Sequence, residues 1–164
     1  MEPFVQAKAE QRLEQLGLTI EAAPMPTGHY ASFKLVEPLL YLSGVTPKVG
    51  GKLVYQGAVG RELTKEEGYH AARQCAINLC ASIRSALGSL DRVTEIVKVT
   101  GFIRAVADFE ELPCVLNGAS DLLVEVFGDC GIHARSAIGV AALPGGAAVE
   151  VEMIVRYAQG VEVV

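Results

Sequence analysis

Tryptophan is absent from this sequence, and aromatic residues make up only 6% of it. A surface that stacks bases needs exposed rings, so this composition disfavours one. There is no basic run either. Lys and Arg number 14 against 19 Asp and Glu, a net charge of −5. Nucleic-acid binders concentrate cations to displace counterions from phosphates, so nucleic acid is not expected as the main partner. Histidine occurs only at positions 29, 70 and 133, with no pair evident for acid–base cleavage of RNA. No apolar run approaches the ~20 residues of a membrane span, and no basic start leads into an apolar stretch. No membrane association is expected, and the cytoplasm is the expected compartment. Cys75, Cys80, Cys114 and Cys130 form no CxxC and no Cys/His set at metal spacing. They read as free thiols, and neither a metal nor an organic cofactor is expected.

What is present fits one domain over residues 1–164, with an N-terminal extension at 1–24 and a core at 25–156. Pro3 to Leu16 reads as a helix with Pro at its start and Gly17 just past its end. Ile20 to Pro26 reads as an extended connector and Gly28-His29-Tyr30 as a loop. Ser32–Val36 and Leu39–Leu42 read as strands joined at Glu37-Pro38, followed by Ser43-Gly44. Lys48–Gly51 reads as a turn and Lys52–Gly57 as a short strand. Thr64-Lys65-Glu66-Glu67 is a capping box. It opens a helix that ends at Gly88, with Ala72, Cys75, Ala76, Leu79, Cys80, Ile83 and Leu87 on its apolar face. Val93–Val106 is rich in β-branched residues and reads as a strand. Its alternation puts Val97, Val99, Gly101 and Ile103 on one side. A second helical region runs from Asp108-Phe109 to Phe127-Gly128, with Pro113 near its first turn.

The stretch from His133 to Val155 carries the charged residues of interest. It reads as a turn holding Arg135 and Ser136, a strand Ala137–Leu143, a Pro144-Gly145-Gly146 turn and a strand Ala148–Val155, together a β-hairpin. Period-2 alternation puts Glu150 and Glu152 on one side of the last strand and Val149, Val151, Met153 and Val155 on the other. Charged groups among Ala, Val, Ile and Gly need one another or a ligand. Two helices cover only one face of a sheet, yet Ile138 and Val140 oppose Ala137, Gly139 and Ala141. Self-association is the expected cover for the second face.

The pattern Ala134-Arg135-Ser136 to Leu143-Pro144, followed by Val149-Glu150-Val151-Glu152, resembles the C-terminal signature of the YjgF/RidA family. Gly28/Tyr30 and Ser43-Gly44 with Pro47 match it upstream. Val45 departs from the family's Gln, and Ala137 from its frequent Cys. The resemblance implies an α/β, chorismate-mutase-like (YjgF-type) fold: a mixed sheet with two helices packed on one face, here with an extra N-terminal helix, in a homotrimer. It implies deamination of reactive 2-enamino and 2-imino acids to 2-keto acids and ammonia at subunit-interface pockets. Arg135 would bind the substrate carboxylate, as a planar guanidinium grips one bidentately. Glu150 would polarise the attacking water, oriented also by the backbone carbonyl of Ala137. Tyr30, Ser43, Gly44, Asn117 and Ser136 would line the pocket. Tyr30 could instead pack on a neighbouring subunit, Asn117 could be a surface residue, and Arg135 with Glu150 could be a structural ion pair.

Two other functions stay open at this stage. One is a non-catalytic trimer that binds a small 2-imino or 2-keto carboxylate in the same pocket. The other is the endoribonuclease or translation inhibitor of the family's second label, which the charge balance and the histidines disfavour. A chorismate mutase would need more cationic groups than the single Arg135 near this hairpin.

Overall fold

The structure, a computed structural model, describes residues 8–159. The start of the first predicted helix, at Pro3 and Val5, lies outside the described residues. Helix α1 spans Ala9–Gln15 and stops at Leu16. Strands β1 (Phe33–Val36) and β2 (Leu39–Val45) form an antiparallel hairpin around a cis Glu37–Pro38 peptide. A small hairpin follows, β3 (Lys48–Val49) with β4 (Lys52–Leu53). Lys48 and Val49 are thus paired, and only Gly50 and Gly51 turn. Helix α2 (Lys65–Leu87) has the predicted capping box at Thr64 and Glu67, and a left-handed Gly88 closes it. Then come β5 (Val93–Arg104), α3 (Leu112–Phe127), β6 (Ala134–Val140) and β7 (Val149–Tyr157).

The main sheet has the order β1-β2-β7-β5-β6. The expected hairpin between the last two strands does not form. β6 pairs in parallel with β5, and β7 pairs antiparallel with both β5 and β2. Strand β5 therefore stands between them. The reason is the connection. A β5-α3-β6 unit returns its second strand parallel to the first. The segment after β6 is then held elsewhere: Gly57 donates to the Gly146 carbonyl, Ala148 to that of Tyr55, and Arg104 to that of Ala148. The Pro-Gly-Gly turn serves this anchored loop. A second correction follows from the pairing: Arg135 and Ser136 lie within β6, not in a turn before it.

Both long helices pack on one face of the sheet. Leu40, Leu42, Val45, Ile96, Val99, Ile103, Val149, Val151, Met153 and Val155 point toward them and are buried. The burial of each such side chain contributes ~1.5–3 kcal/mol. The stripe predicted for α2 is buried in full. On β5 Val99, Gly101 and Ile103 face the helices as expected, but a register shift between Ile96 and Lys98 gives Ile96 the buried place expected of Val97. Gly118 lets α3 cross α2 closely. A Cβ there would lie 2.8 Å from the Tyr69 carbonyl carbon and 3.1 Å from the Arg73 amide nitrogen. Outside this layer, Glu10 of α1 pairs with Arg84 of α2 and accepts from the Leu90 amide at 2.9 Å. Burial pushes its carboxyl up, but Arg84 and that amide hold it, on balance, below the usual range.

The opposite face of the sheet is open in the single chain. Tyr41, Lys98, Thr100, Phe102, Ser136, Ile138, Glu150, Glu152 and Ile154 share it by register. Tyr41 and Ile138 are each 42% exposed. Among the described residues, no helix is long and apolar enough to cross a membrane.

Candidate functional site

The residues of interest fall into two groups. The first is built on β2 and β7. A register shift between Leu42 and Val45 marks a bulge in β2 at Ser43-Gly44. Ser43 is committed to structure: its hydroxyl donates to the Ala31 carbonyl at 2.7 Å, and its amide to the Ser32 carbonyl. This ties the loop carrying Tyr30, itself 56% exposed, to the bulge. Gly44 lies directly under the Glu150 side chain. A Cβ on it would stand 3.0 Å from Glu150 Cδ and 3.1 Å from Cγ, with Oε1 nearer still. Only glycine therefore lets the carboxylate rest on the backbone. Burial raises the Glu150 pKa above the usual carboxylate range, and the charge of Glu152 adds to this. No side chain or amide among the described residues donates a hydrogen bond to Glu150, and it has no cationic partner there. It is a half-buried carboxylate with elevated proton affinity, suited to general acid–base work.

The second group is built on β6 and α3. Register pairs Arg135 with Val99, Ala137 with Gly101 and Gly139 with Ile103, so all three β6 residues face the helices. Arg135 Nη1 donates to Ser120 Oγ at 3.1 Å and Nη2 to the Pro113 carbonyl at 3.2 Å. Among the described residues it meets no carboxylate. Asn117 lies between Pro113 and Ser120 at helical spacing, half-buried on the α3 face that Arg135 meets. Ser136 points the other way, onto the open face, where Lys98 Nζ donates to its hydroxyl at 2.8 Å.

Within one chain these groups stay apart. Arg135 and Glu150 occupy opposite faces of the sheet, on strands separated by β5. Arg135 is level with Val99 and Glu150 with Phe102, so two strand spacings and three residues of offset put about 14 Å between their backbones. A structural ion pair between them inside one chain is therefore excluded. β6 is an edge strand, so Arg135 sits at the rim of the sheet.

Two residues near Arg135 carry more of the geometry than sequence reading suggests. His133 Nε2 lies 2.9 Å from Ser120 Oγ, and its Nδ1 lies 2.6 Å from the Gly131 carbonyl. Burial lowers the His133 pKa. The Gly131 bond opposes this, and the Arg135 charge adds to it. The signal was available: His133 is two residues before Arg135, hence on the same side of an extended chain. Ser120 stands three residues beyond Asn117. What the sequence could not supply was their meeting across α3 and β6.

Comparison with known proteins agrees with this architecture. The YjgF/chorismate mutase-like, putative endoribonuclease family matches residues 10–155. Protein TCP17 of Trypanosoma cruzi is 42% identical over 159 residues, 95% of this chain and 98% of that one. A 2-iminobutanoate/2-iminopropanoate deaminase of Dermatophagoides farinae is 32% identical over 133 residues, 81% of this chain and 89% of its own. The crystal structure of Atu1372 from Agrobacterium tumefaciens superposes with a TM-score of 0.86 at 39% identity, covering 92% of each chain. The chain belongs to the YjgF/chorismate mutase-like family, as the motifs in its sequence imply.

Proposed function

We propose that this member of the YjgF family hydrolyses 2-enamino and 2-imino acids to 2-keto acids and ammonia, in pockets built between copies of the chain in a homotrimer. The observation that carries the reading is the division of the site. Among the described residues, Arg135 has no carboxylate partner and Glu150 has no donor; Arg135 sits on an edge strand and Glu150 on an open face. Each is a half-site whose natural complement is the other half on a neighbouring copy. The exposed Tyr41 and Ile138 on the open face favour such association. The family match and the deaminase relative support the substrate class.

In the assembled pocket the free N–H groups of Arg135 hold the substrate carboxylate and so fix the imine carbon. Asn117 and the Ala137 backbone line that side. Tyr30, Gly44 and Glu150 of the adjacent copy line the other, with Ser43 holding the Tyr30 loop in place. Water adds to the imine carbon to give a carbinolamine, and the nitrogen is protonated. Glu150 takes a proton from the attacking water and delivers one to the departing nitrogen. Ammonia leaves and the keto acid remains. Positioning and proton transfer suffice for this step.

The test is hydrolysis of imines generated in situ by an amino-acid oxidase, comparing wild type with Arg135→Ala. Acceleration by wild type alone is expected. Binding of a 2-keto acid without turnover would favour a carboxylate-binding trimer instead.

A further inference from the structure

We infer that Ser120 and His133 are positioning residues for Arg135, and that they fix the guanidinium pose that receives the substrate carboxylate. The inference rests on the proposed hydrolase reading and adds to it two residues outside the motifs that identify the family.

Donor and acceptor chemistry fixes the direction of each bond in this cluster. A backbone carbonyl can only accept, so the 2.6 Å contact with Gly131 puts a proton on His133 Nδ1. In the neutral ring Nε2 then has only a lone pair. Its partner at 2.9 Å is the Ser120 hydroxyl, which must donate to it. Ser120 has one proton, and this contact uses it. Its oxygen therefore presents only lone pairs to Arg135 Nη1, 3.1 Å away. A free serine rotor could turn its proton toward the guanidinium and repel it; this one cannot. The chain runs in one direction, from Arg135 through Ser120 and His133 to the Gly131 carbonyl. Burial around His133 favours the neutral ring that the chain requires.

The second anchor on Arg135 is the Pro113 carbonyl at 3.2 Å. Ser120 and Pro113 are seven positions apart on α3, so the two bonds hold the guanidinium along two turns of one rigid helix. A planar group held at two points has a defined plane. Two of its five N–H donors are committed in this way, which leaves three for a ligand. Both anchors accept without bearing a charge, so the full positive charge stays available to an anion.

The experiment measures steady-state imine hydrolysis and, separately, calorimetric binding of 2-ketobutyrate, using the full chain. Ser120→Ala should raise KM and the 2-ketobutyrate Kd roughly tenfold, the scale of one charge-assisted bond, and leave kcat within about twofold. Ser120→Thr keeps the hydroxyl and should restore both constants. His133→Phe removes the acceptor and should match Ser120→Ala. The double variant should be no worse than either single one, because the two act as a unit. If Ser120→Ala leaves both constants unchanged while Arg135→Ala abolishes them, the positioning role is wrong and the hydrolase reading stands. Additive losses in the double variant would also overturn it. If wild type neither turns over an imine nor binds 2-ketobutyrate, both proposals fall.

Discussion

Substituting Gly44 by Ala separates folding from catalysis. A methyl group on Gly44 would stand 3.0 Å from Glu150 Cδ and 3.1 Å from Cγ. Carbon atoms in ordinary contact sit ~3.5–4.0 Å apart, and Oε1 is nearer still. The carboxylate must therefore retreat by about 1 Å. The backbone can accept the change, since Gly44 is not among the residues with positive φ. Glu150 ends in a flexible carboxylate at the open face, so the retreat strains little else. Stability should change by less than about 1 kcal/mol, the scale of surface substitutions. Turnover should not escape so lightly. A misplacement of about 1 Å in a reacting group can lower rates about 100-fold. Urea unfolding and imine hydrolysis on the same preparation supply both numbers. A Gly44→Ala protein with wild-type kcat would refute the role of Glu150 in proton transfer. One that lost more than about 2 kcal/mol would show that Gly44 serves the fold instead.

Two further substitutions test the account from other sides. Glu150 holds its proton more tightly folded than unfolded. It weighs nothing against the fold when protonated, and destabilises it as pH rises through the folded value. Glu150→Gln should therefore melt higher than wild type at pH 7, lose that advantage near pH 4, and lose turnover at either pH. Equal melting temperatures at pH 7 would show that burial does not perturb this carboxylate. At the helix crossing, Gly118→Ala sets a methyl group against the Tyr69 and Arg73 backbone, which cannot rotate aside. It should cost about 3 kcal/mol or more; a loss below about 1 kcal/mol by urea unfolding would contradict the close approach.

Local signals in the sequence correspond to local structure. The Thr64–Glu67 box and Gly88 bound α2 as expected, because caps act through hydrogen bonds within one turn. The outward placement of Glu150 and Glu152 followed from alternation. Non-local pairing was not legible in the same way. Pro144-Gly145-Gly146 looks like a hairpin turn, yet β5 separates the strands it was expected to join. A βαβ reading of Val93 to Val140 would have placed β6 beside β5. The bulge at Ile96–Lys98 displaces Val97 alone from the expected row, since a single extra residue reverses parity before it, while Val99, Gly101 and Ile103 keep the expected side. The family motifs place Arg135, Asn117 and Glu150 in one expected site. They could not show that a single chain holds them in two places, or that Ser136 faces Lys98 and not the side of Arg135.

The most direct measurement mixes two inactive variants. Arg135→Ala and Glu150→Gln should each lack imine hydrolysis. Co-refolded in equal amounts, they should form mixed oligomers in which about one pocket in four has an intact Arg135 from one copy and an intact Glu150 from its neighbour. The account predicts recovery to about a quarter of wild-type activity. Verified mixed oligomers with no recovered activity would contradict a site shared between copies.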